Sequence, residues 1–417
     1  VNYYRGWVEA LDGKHTAAAA SFKAVVDVQA DHPLAPDAAL QHGIALFNAG
    51  GLKEASSQFQ AVLTRYAKHP KLARVVYHLG LSLARQKLYT EASKQFQRIT
   101  EEFAESDFVD HALYEWAWCE RGNERQEEAV KLYEVLLKEH SDSSLAPKVQ
   151  GEVAELNLDK GAQDTIIADL SATLETVKEE SLREELRYQL ASAHFKKGDY
   201  ASAATQFVTL LEDYPESRFL ASMHFQAGES QLQLKQVEKA QGHFTEAVGI
   251  EGSPQSLVES ITMRLAETQA LSGQHSDAAT SYQTFLEKFP DSRWTRNAQF
   301  GFAFATENGG DPETALAEYS KILDEPKTDL WTVRSRFQTG SCQAALEKNN
   351  QAVIEFVKVE ISYPQYPQWQ AQAVLQIGKI LLGQDQPEQA KERFLEVLSR
   401  FAEEEAANTA KELLEFM

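Results

Sequence analysis

The residue types that usually catalyse reactions or bind metals are scattered along this chain of 417 residues, which has 11 histidines and two cysteines. Cys119 and Cys342 form no CxxC or other metal-binding spacing, and we expect each to be a small buried residue in a helix interface. No HExxH, GxSxG, DxDxDG or phosphate-binding glycine loop occurs. The sequence therefore predicts a protein that is not an enzyme, with no bound cofactor and no metal site.

One group of glutamates does lie close together, between residues 179 and 185. Arg183 and Arg187 are interleaved with it, and the group opens a predicted helix, where the helix dipole favours acidic side chains. We interpret this group as a solvated helix start rather than a catalytic cluster.

The charge of the chain limits its partners. The formal net charge is −21, which argues against unaided binding to nucleic acid or to anionic lipid, because both attract positive surfaces. No apolar run approaches the roughly 20 residues that a membrane span needs. The sequence thus predicts that this chain neither binds nucleic acid nor spans a membrane.

The elements that must position any site repeat along the chain every 37 residues, or 38 at two places. Each repeat has a large residue, mostly aromatic, with Ala (Ile166 in one repeat) four positions before it and Gly or Ala sixteen positions before it. The large residues are Phe22, Phe59, Phe96, Tyr133, Leu170, Phe207, Phe244, Tyr282, Tyr319, Phe356 and Phe394. The small residues sixteen positions earlier are Gly6, Gly43, Gly80, Ala117, Ala154, Ala191, Gly228, Ala266, Ala303, Gly340 and Gly378.

This spacing predicts pairs of antiparallel helices. A small residue on the first helix leaves room for the ring on the second, and the alanine lets the two backbones approach closely. Ten positions after the ring stand residue types that favour helix N-caps, and His32 and His69 occupy the same position, where we expect caps or loop residues. The predicted N-caps are Ser106, Ser143, Ser217, Ser292 and Asp329.

The pattern of small residue, alanine and ring resembles the tetratricopeptide repeat (TPR), and the resemblance covers essentially the whole chain. It implies an all-α fold, a right-handed α-solenoid of about eleven helix pairs with a C-terminal cap helix. The period exceeds the usual repeat of about 34 residues. In this the chain is similar to TPR proteins of the bacterial envelope, namely outer-membrane assembly lipoproteins, the Tol–Pal coordinator and exopolysaccharide-export scaffolds.

The repeats give the predicted organisation of the chain. Residues 1–143 hold repeat units one to four. Repeat unit one is truncated at its start, so that a signal, a lipid anchor or another domain is expected upstream. Residues 144–178 form a degenerate unit five, which either acts as a hinge or has diverged without mechanical consequence. Residues 179–402 hold repeat units six to eleven, and residues 403–417 form the cap helix.

Stacked first helices should form a concave, solvent-lined groove. Helical spacing places four positions of each unit in it: six and two before the small residue, and one and five after it. The residue six positions before the small residue is polar in every repeat unit that contains this position. The residue two positions before it, which is His78 in repeat unit three, is mostly polar. Three before the small residue runs a comb of aromatic residues, which we interpret as packing between helices, with tyrosine hydroxyls reaching the groove.

One groove position is apolar instead of polar in the first four repeat units, and there we predict the partner site. One residue after the small position stand Trp7, Ile44, Leu81 and Trp118, and a mildly basic set lies nearby, formed by Arg74, Arg85, His111 and Lys148. We include His78 of the polar row in the predicted site. This arrangement favours a groove for an extended or helical peptide with apolar anchors and some acid. Alternatively, an upstream segment or tight coiling covers the apolar ladder.

The predicted function is a non-enzymatic scaffold for protein–protein interaction in the bacterial periplasm or cell envelope, with a cytoplasmic location as the alternative. Two other functions stay open. One is a glycan-binding scaffold in polysaccharide export, which would use the tyrosine comb and the groove glutamines. The other is a regulatory arm of a larger enzyme whose catalytic domain lies upstream.

Overall fold

The computed structural model describes residues 1–325 and 327–417, and within them the chain forms 23 helices and no strands. It divides into two compact units, unit 1 (Val1–Asp199) and unit 2 (Tyr200–Met417). The helices of unit 1 are α1 (Asn2–Leu11), α2 (His15–Val28), α3 (Ala35–Asn48), α4 (Leu52–Arg65), α5 (Leu72–Arg85), α6 (Tyr89–Glu102), α7 (Val109–Gly122), α8 (Gln126–Glu139), α9 (Ala146–Asn157), α10 (Gln163–Thr176) and α11 (Glu180–Lys197). The helices of unit 2 are α12 (Tyr200–Asp213), α13 (Leu220–Gln233), α14 (Val237–Val248), α15 (Gln255–Leu271), α16 (His275–Lys288), α17 (Thr295–Asn308), α18 (Pro312–Leu323), α19 (Leu330–Ala345), α20 (Asn349–Ser362), α21 (Pro367–Gly383), α22 (Pro387–Arg400) and α23 (Glu405–Glu415).

Each unit is a stack of helices in two layers, as expected for an α-solenoid. Within each unit, consecutive helices pack against each other, and the first helices of successive pairs also touch, for example α3 and α5, or α17 and α19. The last helix, α23, packs on α21 and α22 and buries Ala406, Ala407 and Ala410 against them. The predicted all-α solenoid is confirmed.

The small residue of each repeat makes room for the ring, as the spacing predicted. A Cβ atom on Gly43 would lie 2.5 Å from the Phe59 ring, and one on Gly378 would lie 2.4 Å from Phe394. Contacts this short exclude any side chain. Both rings are fully buried, so the same packing holds the helix pairs of unit 1 and of unit 2.

The turn inside every helix pair places one residue in the left-handed conformation, nine positions before the ring. Glycine fills it in six repeats, for example Gly198, which ends α11 as a left-handed cap. Elsewhere the turn strains another residue, because a Cβ disfavours positive φ. These residues are Lys87, Glu124, Lys235, Glu347 and Asp385, with φ between 58° and 62°.

The predicted N-caps require a correction. The Ser106 hydroxyl accepts a hydrogen bond from the Phe108 amide, and the helix begins only at Val109. The carbonyl of the same serine accepts the Val109 amide, so the serine opens a tight turn that precedes the helix. The other three predicted serines and the two histidines also bond the amide two residues ahead, whereas Asp329 is a true N-cap that accepts the Thr332 amide at 2.9 Å.

Repeat unit five packs differently from the others. Its helices α9 and α10 touch far less extensively than the helices of other pairs. A Cβ on Gly151 of α9 would meet Gln189 and Leu186 of α11, at 2.9 and 3.0 Å, instead of a ring on its own second helix. Thus α9 approaches α11 closely, while Leu170 fills less space than a ring would. That repeat unit five acts as a hinge stays a prediction.

In the part of the chain that the structure describes, no helix combines the length and the apolar character that crossing a membrane requires.

Candidate partner-binding faces

The side of each first helix that points away from its second helix forms what we call the first-helix face. On α7 this face carries His111 and Trp118, which lie two turns apart and are both exposed, while Ala117 between them is fully buried. These are the positions six before and one after the small residue. The groove positions assigned from helical spacing therefore face solvent here.

The four apolar residues of the predicted ladder differ in exposure. The Trp7 ring lies edge-on to Phe22 at 5.9 Å, and Ile44 and Leu81 are partly buried against the apolar clusters of their repeats. Trp118 alone among the four is exposed, at 40%, with its ring edge-on to Tyr89 at 5.6 Å. The first three mainly support packing, and Trp118 offers the free apolar surface.

The predicted basic residues near Trp118 hold varied contacts. The Lys148 ammonium lies 4.8 Å from the centre of the Tyr114 ring, and the Arg85 guanidinium lies 5.9 Å from that of Phe47. The His111 ring bonds the neighbouring carboxylate of Asp110 at 2.8 Å. The structure places Arg74, half-buried, one turn before His78 on α5.

Carboxylates are interleaved with these cations. Burial raises the pKa of Glu115, against the opposing charges of Arg85 and Lys148. Arg121 of α7 forms ion pairs with Glu152 and Glu155 of α9, the latter at 3.1 Å. Counting the cations of the sequence overstated how basic this face is, because the acids that compensate them come from neighbouring repeats.

His78 lies in the predicted set but is mostly covered. Its ring stacks on Phe59 at 5.8 Å with an interplanar angle of 19°, and its Nδ1 atom is buried without a hydrogen-bond partner in the described residues. Burial, with a smaller contribution from Arg74, lowers the pKa of His78 to about 4. The imidazole is therefore neutral at pH 7 and belongs to the packing.

The aromatic comb packs between repeats, as interpreted from its spacing. Tyr77 contacts Phe108 at 5.1 Å between ring centres, and in unit 2 Phe300 contacts Trp331 at 5.5 Å. In each pair the second ring lies at the start of the next first helix, nine positions before its small residue. The tryptophans at this position were missed from the sequence, although they recur at Trp294, Trp331 and Trp369.

Unit 2 has a pocket on its own first-helix face, which residue spacing did not predict as a site. It is an open cleft of about 380 Å³ between α13, α15 and α17. Apolar groups of Phe225, Met263 and Trp294 line it together with polar side chains. At its wall Arg264 pairs with Glu229 and with Glu267, each at 2.8 Å.

A separate cleft of about 410 Å³ lies in unit 1 between α6, α7 and α8, on the side of α7 opposite Trp118. Trp116 and Leu132 line this second cleft, and the buried carboxylate of Glu120 there accepts hydrogen bonds from Ser93 and Trp116.

A second feature of unit 2 is an arginine among aromatic rings. Arg334 of α19 occupies the groove position six before the small residue, and its guanidinium carbon lies 4.2 Å from the centre of the Phe300 ring. The equivalent contact in unit 1 is that of Lys148 with Tyr114. A cation at this position therefore stacks on the comb residue of the preceding repeat in both units.

Comparison with known proteins gives family matches within the chain. Two tetratricopeptide repeat models match residues 40–108 and 111–143, and a model described as outer membrane lipoprotein matches residues 152–322. No curated protein matches the sequence.

Solved structures with a similar fold include three with low identity. The crystal structure of the APC/C hetero-tetramer Cut9-Hcn1 has 10% identity and a TM-score of 0.40, and covers 98% of this chain and 94% of that one. A tetratricopeptide repeat protein from Parabacteroides merdae has 15% identity and a TM-score of 0.41, with 60% and 92% covered. The MamA protein has 14% identity and a TM-score of 0.37, with 44% and 92% covered.

The matched repeats carry the same small residues and rings that the structure packs together. Repeats of this kind generally form non-catalytic surfaces for protein–protein interaction. The chain therefore contains tetratricopeptide repeats, which imply a protein-interaction scaffold, and its residues 152–322 are similar to an outer membrane lipoprotein family.

Proposed function

We propose that the first-helix face of unit 1 binds an extended or helical segment of a partner protein, and that the chain does so in assembly of the bacterial cell envelope. The exposed indole of Trp118 carries this proposal. A large aromatic side chain on a rigid helix supplies apolar contact area at little cost in conformational entropy.

The surroundings of Trp118 support the same partner. His111 and Lys148 are exposed on this face, while the ring of Tyr114, one turn from Trp118, is held under the Lys148 ammonium. A partner segment would place an apolar side chain against the indole and a polar or acidic group near the cations. The proposed site continues along α1, α3 and α5, where Arg74 and Arg85 add charge and the partly buried Trp7, Ile44 and Leu81 add a smaller apolar surface. His78 is covered and supports this surface from within the packing.

The similarity of residues 152–322 to an outer membrane lipoprotein family supports the envelope as the location. Fractionation of cells that express the full-length gene tests this part. Recovery with the envelope fraction is expected, and recovery with cytoplasmic proteins would contradict it.

Selection of random peptides displayed on phage tests the binding site. We expect the selected peptides to share a large apolar residue, and Trp118→Gln to weaken their binding about tenfold or more without changing the helix content. Lys131→Gln, on the exposed side of α8, is the matched control and should leave binding unchanged. Equal binding by Trp118→Gln, or a cooperative loss of helix in that variant, would refute the proposed site.

A further inference from the structure

Arg334 of unit 2 is held by three aromatic rings from three first helices. Its guanidinium carbon lies 4.2 Å from the centre of Phe300 on α17, 5.1 Å from Trp331 on α19 and 5.9 Å from Trp369 on α21. The rings are themselves fixed, since Phe300 contacts Trp331 at 5.5 Å. The planar group is thus oriented before any ligand arrives.

This arginine has no acidic partner among the described residues. Its Nε atom is buried without a hydrogen-bond partner, whereas Arg336, two residues further along the helix, pairs with Glu355 at 2.8 Å. Burial lowers the pKa of Arg334, but an arginine stays protonated in proteins. In a chain with a net charge of −21, this cation remains uncompensated.

We propose that Arg334 binds the carboxylate of an acidic side chain in a partner protein segment that lies on the first-helix face of unit 2. Its fork of N–H donors matches a carboxylate, and charge-assisted hydrogen bonds are about twice as strong as neutral ones. The side chain is partly exposed, so that a ligand can reach it. This site is independent of the one proposed around Trp118.

The neighbouring pocket defines the partner further. Asn297, which lines the pocket of about 380 Å³, lies one helical turn before Phe300 on α17. The apolar groups of Phe225, Met263 and Trp294 in that pocket suit an apolar side chain. A protein segment presents an acidic and an apolar side chain close together, which an acidic glycan does not. The expected motif is therefore an acidic residue near a large apolar one.

Two labelled peptides test this recognition by fluorescence anisotropy. The first is an acetylated and amidated nonapeptide that repeats Gly-Leu-Glu three times, and the second has Gln in place of Glu. The glutamate peptide should bind about tenfold more tightly or better, and added salt should weaken it. Arg334→Gln should remove this preference, and Arg334→Lys should keep part of it. Lys321→Gln, which removes an exposed charge on α18, is the control and should have no effect.

A measurement on the unsubstituted protein covers the case in which Arg334→Gln does not fold. With 5-fluorotryptophan incorporated, the fluorine signals of Trp331 and Trp369 should shift on addition of the glutamate peptide, while those of Trp7 and Trp116 in unit 1 stay in place. The proposal is overturned if the glutamate peptide does not bind, if both peptides bind equally, or if the two signals do not move. Binding of tetragalacturonate in place of the peptide would also overturn it and indicate a glycan site.

Discussion

The first-helix faces of unit 1 and unit 2 share one framework but present different chemistry. In unit 1 an indole is exposed at Trp118, and the cation Lys148 lies near the acids Glu115 and Glu152. In unit 2 the tryptophans are packed between repeats, and the cation Arg334 has aromatic neighbours but no acid among the described residues. The cation six positions before the small residue is therefore compensated by acids in unit 1 and has aromatic neighbours alone in unit 2, within the described residues.

The largest effect is expected where the two units are alike, at the buried ring of the repeat. Phe59→Ala in unit 1 and Phe394→Ala in unit 2 should each lower the free energy of unfolding by about 3–5 kcal/mol, because each leaves a cavity beside a glycine. Urea unfolding followed by circular dichroism measures this. Leu395→Ala, at a half-exposed neighbour, is the control and should cost less than about 1 kcal/mol. A small loss in either ring variant would show that its unit does not depend on this packing.

The next effect separates the two units. Trp331→Ala should lower the free energy of unfolding by about 2–3 kcal/mol, because its ring packs on Phe300 and under Arg334. Trp118→Ala should cost less than about 1 kcal/mol, because its indole is 40% exposed. Equal losses in the same urea experiment would mean that Trp118 is also a packing residue, and the contrast between the faces would disappear.

The sequence predicted the framework well because local spacing determines it. The small residue and the ring, for example Gly43 and Phe59, recur at fixed distances and pack as expected. The strained turn residues such as Lys87 were missed, since nothing in a lysine indicates positive φ. The predicted serine caps were wrong by two residues, because the turn before each helix uses the serine itself and the N-cap follows it, as Phe108 follows Ser106.

The candidate sites were less predictable because they depend on contacts between repeats. Spacing placed Trp7 and Trp118 at the same position, but Trp7 packs on Phe22 while Trp118 is exposed. Spacing places Arg334 at a groove position, six before Gly340, but the sequence could not show that no acid lies beside it among the described residues. Whether a cation is paired depends on side chains about one repeat away, as in the pairing of Arg121 with Glu155.

A pH-dependent effect is expected from the covered histidine of unit 1. The folded protein holds the pKa of His78 at about 4, below the value of about 6.5 in an unfolded chain, so that unfolding takes up a proton between these values. Stability should therefore fall as the pH falls from about 6.5 towards 4. Between pH 7 and pH 5 the protein should lose about 1–2 kcal/mol more than His78→Phe, which keeps a ring on Phe59. Urea unfolding at both pH values measures the difference, and parallel losses would show that His78 is accessible to protons when folded.

The smallest effect on stability is expected at the two stacked cations, Lys148 and Arg334. The way this effect depends on salt distinguishes the two faces. Lys148→Gln should cost about 0.5 kcal/mol at low salt, because it removes a cation that lies over Tyr114 and near Glu152. Added salt should reduce this loss, since it screens the attraction between the ammonium and the acids. Arg334→Gln removes a charge with no acid beside it, so the lost stacking is offset by relief of an unpaired buried cation. Its loss should not grow at low salt. If both variants respond to salt in the same way, the cations of the two faces are compensated alike, and unit 2 has no charge reserved for a partner.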